Sequence, residues 1–375
     1  LENCPDGENL ENELYTNPSR TGMKCLPSNK LHLAQGNILH DWHAEIIAIR
    51  AFNHFLLDEC HLISTPPYPT SDFLRNLSHD ETPDSRQPFT IRDDVSIHMY
   101  CSEAPCGDAS MELTMAAQED ATPWTSAPPT LTPSTAPEDA VPTALRGRSN
   151  FSHLGVVRAK PSRPDAPPTL SKSCTDKLSM KQATSLLNST TSLFISLENA
   201  YLSTLVLPAS QFVPSACERA FSSSGRLKGL SQDLWNGGYR FQAFDVKPTC
   251  QEFPWSRRAL LPDQKAVPSN VSAVWTPHWQ ETLIGGVLQG RKQLDPKGAS
   301  SMCRRGLWME AVRLAGLVGV PVLLNALKQG RYEDVKGCGV LAERRQVKED
   351  VKGVLKGWVR NSGDDDWALE EGSRS

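Results

Sequence analysis

Two short clusters in this chain carry the residue types that metal-assisted proton chemistry needs. In Asp41-Trp42-His43-Ala44-Glu45 a histidine, a neutral metal-ligand type, stands two residues before a carboxylate able to carry a proton. In Pro105-Cys106-Gly107-Asp108 a cysteine follows a proline, the residue that favours the first position of a helix. A helix N-terminus lowers a thiol pKa, and the thiolate is the form that binds metal. An isolated H-x-E is common by chance and reads as an ordinary helix start. A cysteine placed after a strand and at a second helix start is what raises it above chance.

The flanking patterns predict how both clusters are held. Behind His43, residues Ile47, Ala48, Ala51, Phe52, Phe55 and Leu56 recur at helical spacing, so the segment should bury one face. With Asp41 as N-cap, His43 and Glu45 fall in the first turn, where unpaired N–H groups and the helix dipole face outward. Before Cys106, Val95, Ile97 and Met99 alternate with Ser96, His98 and Tyr100, which predicts a strand; Pro105 then opens a second helix with Cys106 in its first turn. H-x-E on one helix and P-C on the next, with a strand between, is the pattern of the zinc nucleobase deaminases. There zinc activates a water that attacks the ring carbon bearing the exocyclic amine, and the glutamate moves the proton without binding metal. Zinc needs a third protein ligand. The simpler members supply it at P-C-x-x-C, where this chain has Ala109, and by spacing alone any of the ten cysteines could serve, Cys101 being close by.

Composition sets outer limits. The 375 residues suffice for one large domain or two small ones, with 39% hydrophobic content and 28 prolines that point to unfolded inserts. A formal charge of −4, from 39 basic and 43 acidic residues, means that nucleic-acid binding would need a local basic surface. Between Arg257 and Arg305 eight basic residues face three acidic ones, the clearest such region. Scattered cysteines fit a reduced intracellular protein, in nucleus or cytoplasm, better than a disulfide framework. The longest apolar run, Leu314 to Leu327, is broken by Pro321, so a core helix is expected and no membrane span.

Along the chain, residues 1–20 are polar and unpatterned and are expected to be disordered or a misassigned start. A single domain should cover 21–360, interrupted by proline-rich inserts at about 64–94 and 117–149. Strands are expected at Ala200–Leu207 and Ala273–Trp275. Helices should lie at Ser215–Phe221, Ser300–Leu317, Val322–Lys328 and Ala342–Trp358. Residues 361–375 read as a loose acidic tail.

Several longer motifs in fixed order add to this: Gly22-Met23-Lys24-Cys25, His43-Ala44-Glu45, Pro105-Cys106-Gly107-Asp108-Ala109-Ser110, Lys160-Pro161 with Asp165, Ser173-Cys174-Thr175-Asp176-Lys177, and Trp275-Thr276. Together they resemble the adenosine deaminase family that edits tRNA and double-stranded RNA, and within it the fungal tRNA-specific branch. The resemblance implies a cytidine-deaminase-like α/β fold, a three-layer α-β-α core with a family-specific C-terminal extension. It implies zinc on His43, Cys106 and Cys174, with Glu45 as proton shuttle. It implies a buried inositol hexakisphosphate held by Arg50, Lys177 and Arg304, with Tyr332, Lys336, Lys348 and Trp358 as further contacts. Lys24 would contact the RNA backbone. Where family members carry a tryptophan shortly after D-K, Lys181 is the nearest residue here. The implied activity is deamination of adenosine to inosine in tRNA, at position 37 of alanine tRNA, with no membrane or protein partner. A catalytically dead RNA-binding paralogue is the alternative, against which the intact Glu45 argues.

Overall fold

The computed structural model describes residues 16–17, 24–77, 87–119, 122, 145–161, 166–230, 235–256, 258–260, 269–355 and 357–369. In chain order the strands are β1 (Thr16–Asn17), β2 (Leu74–Asn76), β3 (Phe89–Ile91), β4 (Ile97–Tyr100), β5 (Leu145–Arg146), β6 (Arg158–Ala159), β7 (Leu202–Pro208), β8 (Asp245–Thr249), β9 (Val271–Trp275), β10 (Gln280–Ile284) and β11 (Val287–Leu288). The α-helices are α1 (Ala44–Ser64), α2 (Met111–Ala116), α3 (Cys174–Thr184), α4 (Pro214–Phe221), α5 (Arg304–Val318), α6 (Pro321–Leu327), α7 (Tyr332–Gly337) and α8 (Ala342–Val354). The result is a mixed α/β fold with a parallel sheet at its heart.

That sheet runs β4-β7-β8, all parallel. Its middle strand β7 buries residues of both parities, Thr204 as well as Leu205, which a parallel strand does when helices cover both faces. Leu202, Leu205 and Leu207 pack with Ile49 of α1, Leu178 of α3 and Phe221 of α4. A second, antiparallel sheet, β1-β9-β10-β11, lies against the start of α1, where Val274 and Leu283 meet Ile47 and Ala51. The far end of α1 packs on α5, with Phe55, Leu56 and Cys60 beside Leu307, Trp308 and Ala311. Helix α1 is therefore buried nearly all round rather than on one face, and the single apolar stripe read from the sequence is only part of its contact surface.

Several expectations change. The N-cap of α1 is His43, not Asp41; Asp41 instead accepts the His43 N–H through Oδ1 at 3.0 Å. Glu45 stays in the first turn. Cys106 lies in the bend before a short 3-10 turn, Asp108–Ser110, and not in a helical first turn. The proposed insert at 64–94 is in part core: β2 and β3 pair antiparallel, and Leu74, Phe89 and Ile91 are buried, because their apolar side chains fill the end of α1. Most of the 117–149 segment, most of residues 1–20, and Asp165 lie outside the described residues. The acidic tail is packed as far as Leu369. Trp367 is 3% exposed, stacks on Tyr332 with ring centroids 4.7 Å apart and lies against Gly36. Any side chain on Gly36, whose φ is +71°, would strike that indole, the ideal Cβ falling 2.2 Å from the ring.

Candidate active site

Two chain segments 68 residues apart meet to make the site. Ser173 caps α3 by accepting the Asp176 N–H at 3.1 Å, which fixes Cys174 as the first helical residue. The Cys174 N–H then donates to Cys106 Sγ at 3.3 Å. Gly107 makes this approach possible: its φ is +112°, and an ideal Cβ there would fall 2.2 Å from Ser173 Oγ. From α1, His43 brings Nδ1 to 3.7 Å from Cys174 Sγ.

His43, Cys106 and Cys174 each offer one ligand atom, and the three lie within 4.8 Å of one another. Tetrahedral zinc, with bonds of about 2.3 Å to sulfur and about 2.0 Å to nitrogen, needs its donors roughly 3.6–3.8 Å apart. One imidazole and two thiolates, leaving a fourth position open, is a donor set zinc accepts in catalytic sites. The hydrogen bond from Cys174, with Lys160 and His43 alongside, holds the Cys106 thiol well below its ordinary range despite burial. A second group, Cys25, Asp41 and His43, is also compact. Burial pushes the Cys25 thiol far up, and the Asp41 oxygens are already engaged, so this group is a poor ligand set.

Asp41 is the anchor beneath the triad. At 3% exposure its Oδ2 accepts Lys160 Nζ at 2.7 Å, Ser171 Oγ at 2.9 Å, and the Lys177 ammonium. Burial alone would raise the carboxyl, but Lys160 and Lys177 hold it well below the usual range. Lys160 also donates to Cys174 Sγ at 3.2 Å. Burial works against its charge, yet Asp41 and the two thiols raise its pKa well above the ordinary lysine value. A cation is thereby kept against the ligand sulfur. Neither Lys160 nor Asp41 was recognisable as a partner from sequence, since 119 residues separate them.

Glu45 sits half-buried in the first turn of α1, and its charge reaches Lys24, Cys101 and Cys174. Lys24 is 4% exposed and donates to the Val271 carbonyl at 2.9 Å. Burial lowers its pKa to about 8, with Glu45 pulling it back up. It is not an outward lysine, which corrects the expected contact with an RNA backbone. In the locally positive region Arg258 is neutralised by Glu103 and Glu252 and Arg304 and Arg305 point inward, while Arg291, Lys292 and Lys297 are exposed.

The expected anion contacts divide. Arg50, Arg304, Lys336 and Lys348 gather in one interior region, joined by Lys181 of α3 and Arg344 of α8. Burial first, and then the charges of Arg344, Lys336, Lys352 and Arg304, push Lys348 well below the ordinary lysine range. Lys181 is lowered by burial, then by Arg344, Lys348 and Arg50. Arg304 and Lys336 are met by Asp365 at 3.2 and 2.9 Å. Lys177 turns instead to Asp41, and Trp358 lies under the Lys172 ammonium, 5.6 Å from the ring centre. Lys181 and Arg344 carry no local signal in the sequence. Only the folding of α3 against α8 makes them neighbours.

A parallel α/β sheet bearing one histidine and two cysteines at its edge, with a carboxylate two residues from the histidine, defines a metal-dependent nucleobase deaminase. Comparison with known proteins gives the finer assignment. The chain belongs to the adenosine-deaminase (editase) domain family, whose pattern matches residues 20–362. It is 35% identical to tRNA-specific adenosine deaminase 1 of Schizosaccharomyces pombe over 95% of this chain and 85% of that protein. It is 38% identical to the Saccharomyces cerevisiae protein of the same name, over 45% of this chain and 40% of that one. A mouse double-stranded RNA-specific editase B2 is 35% identical over 24% of this chain and 11% of its own length. The chain is thus an enzyme that deaminates adenosine. Among the described residues no helix is long and apolar enough to cross a membrane.

Proposed function

We propose that this enzyme hydrolyses adenosine to inosine in tRNA, at position 37 of alanine tRNA, acting in the nucleus or cytoplasm. The observation that carries the chemistry is the grouping of His43, Cys106 and Cys174 within 4.8 Å, with Glu45 in the helix that His43 caps. The tRNA substrate is supported by a relative of that printed specificity whose likeness covers 95% of this chain.

A zinc ion on these three ligands would supply the polarisation that makes water a nucleophile near neutral pH. Glu45 accepts the proton that water gives up and returns one to ring nitrogen N1. It then takes the proton of the hydroxyl newly formed at C6 and passes it to the departing amine, so that adenosine and water become inosine and ammonia. Lys160, fixed by Asp41, places positive charge on Cys174 Sγ and steadies the ligand thiolate. The experiment is inosine formation on bulk tRNA with zinc content measured alongside, for the unmodified protein and Glu45→Ala. The variant should keep its zinc and lose activity by about 10²–10⁴-fold or more. Equal loss of metal and activity would refute the assignment of Glu45.

The interior cations support a second element of the same reading, a bound inositol hexakisphosphate. Converging buried charges are strongly disfavoured unless an anion meets them. Asp364 and Asp365 answer Arg304 and Lys336 only, while Lys348 has no hydrogen-bond partner among the described residues. The buried Nε of Arg344 likewise lacks one. A highly charged phosphate ester fits that donor set, with Lys181 filling the place of the family tryptophan. Native mass spectrometry should show the added mass, and Lys348→Met should lose it. Active, stable protein without it would return these residues to a structural role.

A further inference from the structure

At its carboxyl edge the parallel sheet ends in neighbouring loops, the place where ligands of such sheets bind. Residues 101–107 after β4 carry Cys106; residues 209–213 follow β7; residues 250–256 and 258–260 follow β8. The last loop is fastened to the first. Arg258 donates to the Ser102 carbonyl and to Glu103 Oε1, the latter at 2.9 Å, and pairs with Glu252 at 3.1 Å. The Tyr100 hydroxyl donates to the Gln251 carbonyl at 3.3 Å, and Ser210 Oγ to Glu252 at 2.6 Å. Buried Ser256 closes a turn, its N–H donating to the Phe253 carbonyl at 2.8 Å.

On this fixed loop Trp255 stands 77% exposed, with no ring contact among the described residues. Scattered exposed apolar side chains are ordinary and need no explanation. Three features set Trp255 apart: its loop is fastened by side-chain hydrogen bonds, it is tied to the segment that delivers a metal ligand, and Tyr100, bonded to the same loop, is also 42% exposed.

We propose that Trp255 is a stacking platform for an unpaired RNA base flanking the adenosine that enters the site. The proposal rests on the RNA-substrate reading above. A base within a stack cannot reach the metal, so the reacting nucleotide must be extruded, which leaves its neighbour with one bare face. An aromatic side chain replaces that lost stacking whatever the base. The ledge suits a neutral π face rather than a phosphate, because the Arg258 charge is already answered by Glu103 and Glu252. RNA loops are recognised in this way, by stacking of splayed bases on aromatic rings.

The test is steady-state inosine formation by the full chain on bulk tRNA, with Trp255→Ala and Trp255→Phe. Stacking lost at one base corresponds to a fall in kcat/KM of about 5- to 150-fold. The loss should lie in KM, since a flanking contact binds ground state and transition state alike, leaving kcat within about 3-fold. Zinc content and melting temperature should be unchanged, and Trp255→Phe should recover most of the loss. If Trp255→Ala matches an active unmodified protein in both constants, the platform is refuted and the ring is left to a protein partner. If the unmodified protein forms no inosine in any tRNA, the substrate reading fails and this proposal fails with it.

Discussion

Replacing Asp41 by asparagine tests the anchor beneath the metal ligands. The change keeps the side chain's shape and one oxygen but removes the charge that faces two ammonium groups. Lys160, 4% exposed, loses its only carboxylate among the described residues and is left a stranded cation beside Cys174. Lys177, about one-quarter exposed at 25%, can turn partly to solvent, so most of the cost falls on Lys160. Removing one partner of a buried ion pair costs about 3–5 kcal/mol. Against a total stability of about 5–15 kcal/mol this is severe. At about 2 °C per kcal/mol for a domain of this size, the melting temperature should fall by roughly 6–10 °C. The melt should be run at fixed zinc, because bound metal adds to apparent stability. Adding Lys160→Met to Asp41→Asn should recover part of the loss, since the stranded charge is gone. A single variant that melts within about 2 °C of the unmodified protein and keeps its full zinc content would refute this account of Asp41.

Cys174→Ala should empty the metal site, while Cys101→Ala should not, because Cys101 lies outside the group of donor atoms that His43, Cys106 and Cys174 form; metal analysis showing the reverse would overturn the ligand set. Trp367→Ala should destabilise the fold by about 3–5 kcal/mol, as for other large buried side chains, and chemical denaturation showing a loss under about 1 kcal/mol would return the tail to a loose segment. Between α1 and α5, His61 Nε2 lies 2.9 Å from Glu310, close enough to attract though off the hydrogen-bonding direction. Glu310 raises the His61 pKa and His61 lowers that of Glu310, so the pair's contribution to stability is complete between the ordinary glutamate and histidine values, about 4.5 to 6.5. Its contribution, about 0.5–1 kcal/mol, should fade as pH rises through the elevated His61 value and as pH falls through the depressed Glu310 value. Melts of His61→Gln should lack that decline at rising pH, and identical pH profiles would count against the pair.

What the sequence determined by itself is local. The periods of 3.6 behind His43 and of 2 before Cys106 follow from backbone geometry, so helix α1 and strand β4 were readable, as were β7 and β9 and the helices α4, α5, α6 and α8 within a few residues. Ser173 and Asp176, three apart, are likewise a helix start that needs no distant partner. The tertiary structure decided what depends on segments far apart in the chain. Ala109 closed the nearby ligand position, and spacing could not rank Cys174 over the other cysteines; motif resemblance pointed there, and the Gly107–Ser173 approach makes the geometry possible. Direction was also undetermined. Lys24, Arg304 and the acidic tail are charged and look solvated in sequence, yet each is turned inward where a carbonyl, a carboxylate or a guanidinium receives it. Charge favours the surface unless the fold supplies a partner. Whether a lysine faces water or a buried aspartate is set by whether the fold brings that partner within reach, and for Lys160 and Asp41 the partner lies 119 residues away.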